Sequence, residues 1–196
     1  KEALPRTQVP GRTKKWEKTI KICFLSRICE HKGLDILIDA LLQIQGYNIE
    51  FSIFGPIQEK EYWNTCREKL KQTEISWTYK GDVPSEEVQS VLSTQDILVL
   101  PTKSENYGHV VFEALSVGCI PIISDRTPWS LVESWKAGYV VSRTKEAFSR
   151  ALTEYLSMSI EDKNEMVDHA VELAKYKVEQ SKMKTGYREI FELRGN

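Results

Sequence analysis

The feature that most constrains this chain is the regular alternation of short apolar runs with amphipathic segments. Residues 20–25 (Ile-Lys-Ile-Cys-Phe-Leu) form a β-rich, largely apolar run. Gly33 to Gln45 follows, with Leu34, Leu37, Ile38 and Leu41 at helical spacing and Asp35, Asp39 and Gln43 on the other side. A second strand spans residues 49–54 and stops at Gly55-Pro56; Ile57 to Gln72 reads as the next helix. Ser76 to Lys80 reads as a third strand, with a turn at Gly81-Asp82. Pro84-Ser85-Glu86-Glu87 then opens a helix, its acidic residues placed where the helix dipole favours them. Asp96 to Leu100 is a buried strand ended by Pro101, and Gly108 to Val117 a helix. Ile120 to Ile123 and Tyr139 to Val141 supply the fifth and sixth strands, and from about Lys145 the chain is helical to its end. Strands alternating with helices imply right-handed βαβ units. The expected fold is therefore Rossmann-like α/β: a parallel six-stranded sheet with helices on both faces and a helical C-terminal end.

A chain of 196 residues suits one well-packed domain better than two. Residues 1–18 carry two prolines, a glycine and scattered basic residues without a period, and read as a linker or arm. The domain proper is then 19–196. The first residues, Lys1-Glu2-Ala3, include no initiator Met and suggest a piece of a longer protein. Met183, Tyr187, Ile190 and Phe191 mark an amphipathic stripe on the last helix, weakened by Gly186 and expected to need a packing partner. Basic and acidic residues nearly cancel, 27 against 28, so no electrostatic grip on nucleic acid is expected. No apolar run approaches the roughly 20 residues that span a bilayer. The four cysteines, Cys23, Cys29, Cys66 and Cys119, include no Cys-x-x-Cys pair, which fits a reduced, cytoplasmic protein. His31, His109 and His169 recur at no ligand spacing, so no metal is expected.

In an open parallel sheet, ligands bind beyond the carboxyl ends of the strands. After the first strand, Arg27 and Lys32 bracket a loop that leads into a helix. Two cations beside free backbone N–H groups suit a diphosphate, and also suit a solvated surface. After the fourth strand come Ser104, Glu105, Asn106, Tyr107, Gly108 and His109, where Gly108 permits close approach of a ligand to the backbone. Eight residues beyond Glu105, Glu113 lies among Val110, Val111, Phe112, Ala114 and Leu115, so its carboxylate needs a partner. A pair of sugar hydroxyls would serve, and so would a buried arginine or a neighbouring loop. Neither Gly-x-x-x-x-Gly-Lys-Ser/Thr nor Gly-x-Gly-x-x-Gly occurs, which disfavours a P-loop ATPase and a dinucleotide-binding domain.

Together these residues resemble the C-terminal domain of the group-1, retaining nucleotide-sugar glycosyltransferases, one half of the GT-B fold. Glu105 through Glu113 matches the family's Glu-x7-Glu signature, and Arg27 through Lys32-Gly33 matches its Arg-x4-Lys-Gly element. Gly81-Asp82-Val83-Pro84 and the strand ending at Pro101 match in order. The resemblance implies that Arg27 and Lys32 hold the donor's diphosphate and stabilise the leaving nucleotide, with no divalent metal or other cofactor required. It implies that Glu113 accepts ribose hydroxyls and that Glu105 binds hydroxyls of the transferred sugar. Asn106 and the backbone around Tyr107, Gly108 and His109 would face sugar or phosphate, and Asp82 and Val83 would lie beside the base. Expected partners are a nucleotide-sugar donor, a sugar or lipid-linked glycan acceptor, and an N-terminal half that this chain lacks. Surface polysaccharide or glycan assembly is the expected setting, at the inner membrane face if the longer enzyme is peripheral. Ser26 stands where the family usually has Gly, and Asp125-Arg126-Thr127-Pro128-Trp129 where it usually has Gly-Gly or a close variant. Alternatives of other classes are a GT-B-fold sugar epimerase, a non-catalytic nucleotide-binding module, and a receiver-type module. The last would need an acidic pair where Ser26-Arg27 stand.

Overall fold

In the computed structural model, residues 8–11 and 17–193 are described, with side chains through Lys182. Six strands form one sheet: β1 (Ile20–Leu25), β2 (Ile49–Phe54), β3 (Ser76–Gly81), β4 (Ile97–Leu100), β5 (Ile120–Ser124) and β6 (Tyr139–Val141). Their order is β3-β2-β1-β4-β5-β6, and every pairing is parallel. The chain therefore winds outward from β1 to one edge, then returns to start the other half at β4. The point of reversal lies between β1 and β4.

Alternate residues of each central strand enter different cores, as a period of two requires. Ile22 and Phe24 of β1 join the larger core, whereas Cys23 joins the smaller one. The larger core takes its cover from α1 (Leu34–Leu41), α2 (Lys60–Leu70) and α6 (Lys145–Ser157). The smaller lies under α3 (Val88–Ser93) and one side of α4 (His109–Ser116). The single turn α5 (Leu131–Ser134) precedes β6. The last helix, α7 (Ile160–Leu193), runs 34 residues and buries Val167, Ala170, Leu173, Ala174 and Val178. That stripe packs on α4 and β5. The expected stripe of Met183, Tyr187, Ile190 and Phe191 lies outside the described side chains, as do residues 1–7 and 12–16 of the expected arm. Within that arm, Gly11 N–H donates to the Ser116 carbonyl at 3.0 Å, and the Gln8 carbonyl accepts from Gln89 Nε2 at 3.3 Å. Among the described residues, no helix is long and apolar enough to cross a membrane.

The strands fall where periodicity places them, but several helices are shorter. α1 ends at Leu41 rather than Gln45. Gln43 and Ile44 N–H groups bond to carbonyls three residues back, at 3.2 and 3.0 Å, so the last turn tightens and still delivers Ile44 to the core. α2 begins at Lys60 because Ile57 is used in an isolated bridge with Ile28. Residues 84–87 form a turn, closed by Glu87 N–H to the Pro84 carbonyl at 2.9 Å, so α3 starts at Val88 beyond the acidic pair.

Candidate functional site

Two loops leave the carboxyl ends of β1 and β4 and meet at the reversal point. That is where an open α/β sheet leaves a crevice between loops that diverge to opposite sides. The first loop ends in a 3-10 turn, Glu30–Lys32, and the backbone then turns at Gly33 into α1. Gly33 has φ 74°, and a Cβ there would lie 2.3 Å from the Pro101 carbonyl oxygen. Glycine is what lets the first loop press against the start of the second. Gly108 closes the second loop in the same left-handed conformation, φ 64°, and serves as N-cap of α4. In the first turn of α4, Val111 N–H bonds back to the Gly108 carbonyl at 2.8 Å, and the N–H groups ahead of it have no partner within the helix.

The loops are tied at several points. Lys32 Nζ reaches Glu105 Oε2 at 2.6 Å, with side chains only 9% and 19% exposed. Lys103 N–H donates to the His31 carbonyl at 2.8 Å, and His31 Nε2 lies 3.1 Å from both the carbonyl and the hydroxyl of Ser104. Thr102 is fully buried, its hydroxyl donating to the Ser104 carbonyl at 2.7 Å, while Ser124 Oγ donates to the Thr102 carbonyl at 2.7 Å. The third loop, after β5, joins through Arg126, whose carbonyl accepts from Glu105 N–H at 3.2 Å. Trp129 is buried, donates from Nε1 to the Tyr107 carbonyl at 2.7 Å, and carries Lys177 Nζ of α7 5.0 Å from its ring centre. So the segment that departs from the family's glycine pair wedges an indole behind Tyr107 and Gly108.

The structure thus gathers Lys32, Glu105, Tyr107, Gly108 and His109 at one crevice. Tyr107 and His109 rings stand 4.9 Å apart, and Asn106 is exposed beside them. Glu113 is buried in the second turn of α4, 6% exposed. Glu105 precedes the helix, so its spacing from Glu113 is that of a loop joined to a helix. Arg27 is exposed at the same end of the sheet, and its guanidinium donates to Gln58 Oε1 at 3.0 Å. Asp82 and Val83 follow β3 at the sheet edge, with β2 between them and β1; Asp82 Oδ1 accepts from Val83 N–H at 2.9 Å. One contributor escapes a reading that stops at the fifth strand. Arg143, after β6, donates from Nε to the Pro101 carbonyl at 2.8 Å and from Nη2 to the Glu30 carbonyl at 3.2 Å. The rule that found the others, reading past each strand's carboxyl end, finds Arg143 when applied to β6.

Fold and crevice define a doubly wound α/β domain with a charged pair and a helix N-terminus at its topological switch point. The chain belongs to the group 1 glycosyl transferases, whose family model it matches over residues 6–173. It is 31% identical over 121 residues to granule-bound starch synthase 1 of Pisum sativum, covering 60% of this chain and 19% of that protein. It is 28% identical over 168 residues to the putative colanic acid biosynthesis glycosyltransferase WcaL of Escherichia coli K12, covering 76% of this chain and 41% of the relative. Among solved structures, HepE of Anabaena in complex with UDP and glucose superposes with a TM-score of 0.77 at 17% identity, over 87% of this chain and 48% of HepE. That likeness is one of fold. The chain spans less than half the length of each of these proteins.

Proposed function

We propose that this chain is the donor-binding half of a retaining glycosyltransferase that moves a sugar from a nucleoside diphosphate sugar to an acceptor. The observation that carries the reading is the Lys32–Glu105 pair, 2.6 Å apart at the switch point beside the N-terminus of α4. A cation held there faces the oxygen that gains negative charge as the bond from anomeric carbon to diphosphate breaks. A carboxylate beside it accepts hydroxyls of the transferred sugar. In this reading Arg27 joins Lys32 on the diphosphate, and no divalent metal is needed. Glu113 takes the ribose hydroxyls, and Asn106 with the Tyr107–His109 backbone lines sugar and phosphate. Asp82 and Val83 flank the base, which requires the ligand to extend along the ends of β1 and β2. The known UDP complex of HepE supports a nucleotide as the ligand class. Colanic acid and starch relatives support glycan assembly as the setting. The acceptor, a sugar or lipid-linked glycan, would meet the donor against a separate N-terminal half. Four free, buried cysteines support a reducing, cytoplasmic compartment.

The test is a thermal-shift panel with UDP, GDP, ADP and the matching monophosphates, each with and without EDTA. A diphosphate at about 100 times its Kd should stabilise by about 2.7 kcal/mol. The expected shift is diphosphate-selective, survives EDTA, and is lost in Arg27→Ala and Glu113→Ala. A shift that needs added divalent metal would remove the two-cation account of the diphosphate.

A further inference from the structure

We propose that Arg143 is a positioning residue that holds the two site loops in register and thereby sets the affinity for the nucleoside diphosphate. The inference rests on the donor-site reading above but adds a residue from a third loop.

Arg143 spans the loops through main-chain oxygens alone. Nε donates to Pro101, the first residue after β4, and Nη2 donates to Glu30, two residues before Lys32. Its reach is therefore independent of the side chains that the two loops carry. Between its two acceptors lies Gly33: a Cβ there would sit 2.3 Å from the Pro101 oxygen and 3.1 Å from Arg143 Nη2. Guanidinium, glycine and carbonyl form one close-packed junction at the base of the loops that present Lys32 and Glu105. Two donors in a fixed planar fork suit this task, whereas a lysine ammonium on a flexible stem reaches one carbonyl at a time.

The arginine is also delivered rigidly. Thr144, the next residue, caps α6, its hydroxyl accepting from Ala147 N–H at 3.3 Å. α6 buries Ala147, Phe148, Ala151, Leu152, Tyr155 and Leu156, and packs on α1, the helix that follows Gly33. The first loop, α1, α6 and Arg143 therefore close a ring that returns to the second loop. Without the guanidinium, the loops keep the Lys103 to His31 backbone bond, the His31 contacts to Ser104, the Lys32–Glu105 pair and the exposed Lys103–Glu30 ion pair as direct ties.

The experiment uses the whole chain with Arg143→Ala and Arg143→Lys, read in two ways. The first is hydrogen exchange of the Lys103 amide, which reports loop register without any ligand. The second is calorimetric titration with UDP and GDP. Expected is faster exchange at Lys103 in both variants while amides of β1 and β4 keep their protection. Diphosphate affinity should fall about tenfold, the weight of one charged hydrogen bond. Ethylguanidinium added to Arg143→Ala should restore both readings, which a generally loosened fold would not allow. Unchanged exchange and unchanged affinity would overturn the proposal. So would full rescue by lysine, or loss of protection across the whole sheet. A parent chain that binds no nucleoside diphosphate, with Lys103 exchange still sensitive to Arg143, would sink the donor-site reading while leaving the clamp in place.

Discussion

Lys32 and Glu105 show how far single residues can be read from sequence. Both were legible as site candidates because they follow strand ends, where a parallel sheet exposes its loops. Their pairing was not legible, because 73 residues separate them and only the strand order β1-β4 brings them together. The pair is nearly dry, so removing one partner strands the other. Lys32→Met should cost about 2 kcal/mol in urea unfolding, below the value for a fully buried pair because the Glu105 side chain keeps 19% exposure. Adding Glu105→Leu should return much of that loss, since the stranded carboxylate is then gone. A double variant no more stable than Lys32→Met alone would show that the pair contributes packing rather than charge. Arg143 follows β6 as Lys32 follows β1, so its place was equally legible, but its role was not, because its partners are backbone carbonyls 42 and 113 residues away.

At the scale of elements, the β-strands were readable almost to the residue and the helices only by their centres. A buried parallel strand is a short run of apolar residues bounded by turn formers, so its ends are written in composition. Helix ends depend on where the chain must leave. Ile44 keeps helical spacing yet sits in a tightened turn, and Ile57 is drawn out of α2 by its bridge to Ile28. Glycines at the loop ends carry more information than helical period does. Gly33 combines a left-handed backbone with a carbonyl 2.3 Å from any added Cβ, whereas at Gly108 the nearest atom is Trp129 Nε1 at 3.0 Å, on a side chain. Gly33→Ala should therefore cost about 3 kcal/mol and Gly108→Ala about 1 kcal/mol, the backbone term alone, in parallel denaturant titrations. Equal losses would mean that Pro101 yields to the added methyl, and the tight junction behind the site would lose its physical basis.

For the molecule as a whole, one sheet belongs to every core. β1 sends Ile22 and Phe24 to one face and Cys23 to the other, and α7 closes over α4, which roofs the smaller core and carries the site's helix N-terminus. Neither face can lose its cover without exposing the apolar side of strands that the other still needs. The chain should therefore unfold as one unit, even above the size at which small domains are reliably two-state. Four described tryptophans sample the fold widely: Trp63 on α2, Trp77 on β3, and Trp129 and Trp135 on either side of α5. Urea transitions followed by far-UV circular dichroism and by tryptophan fluorescence should superimpose. On the proposed donor-site reading, a saturating nucleoside diphosphate should move both midpoints upward together, because the crevice proposed for it is built from the loops of β1 and β4 at the centre of the sheet. If fluorescence alone shifted, ligand would be ordering the Trp129 wedge and its loops without stabilising the sheet. The domain would then be divided between a rigid core and a separately melting site.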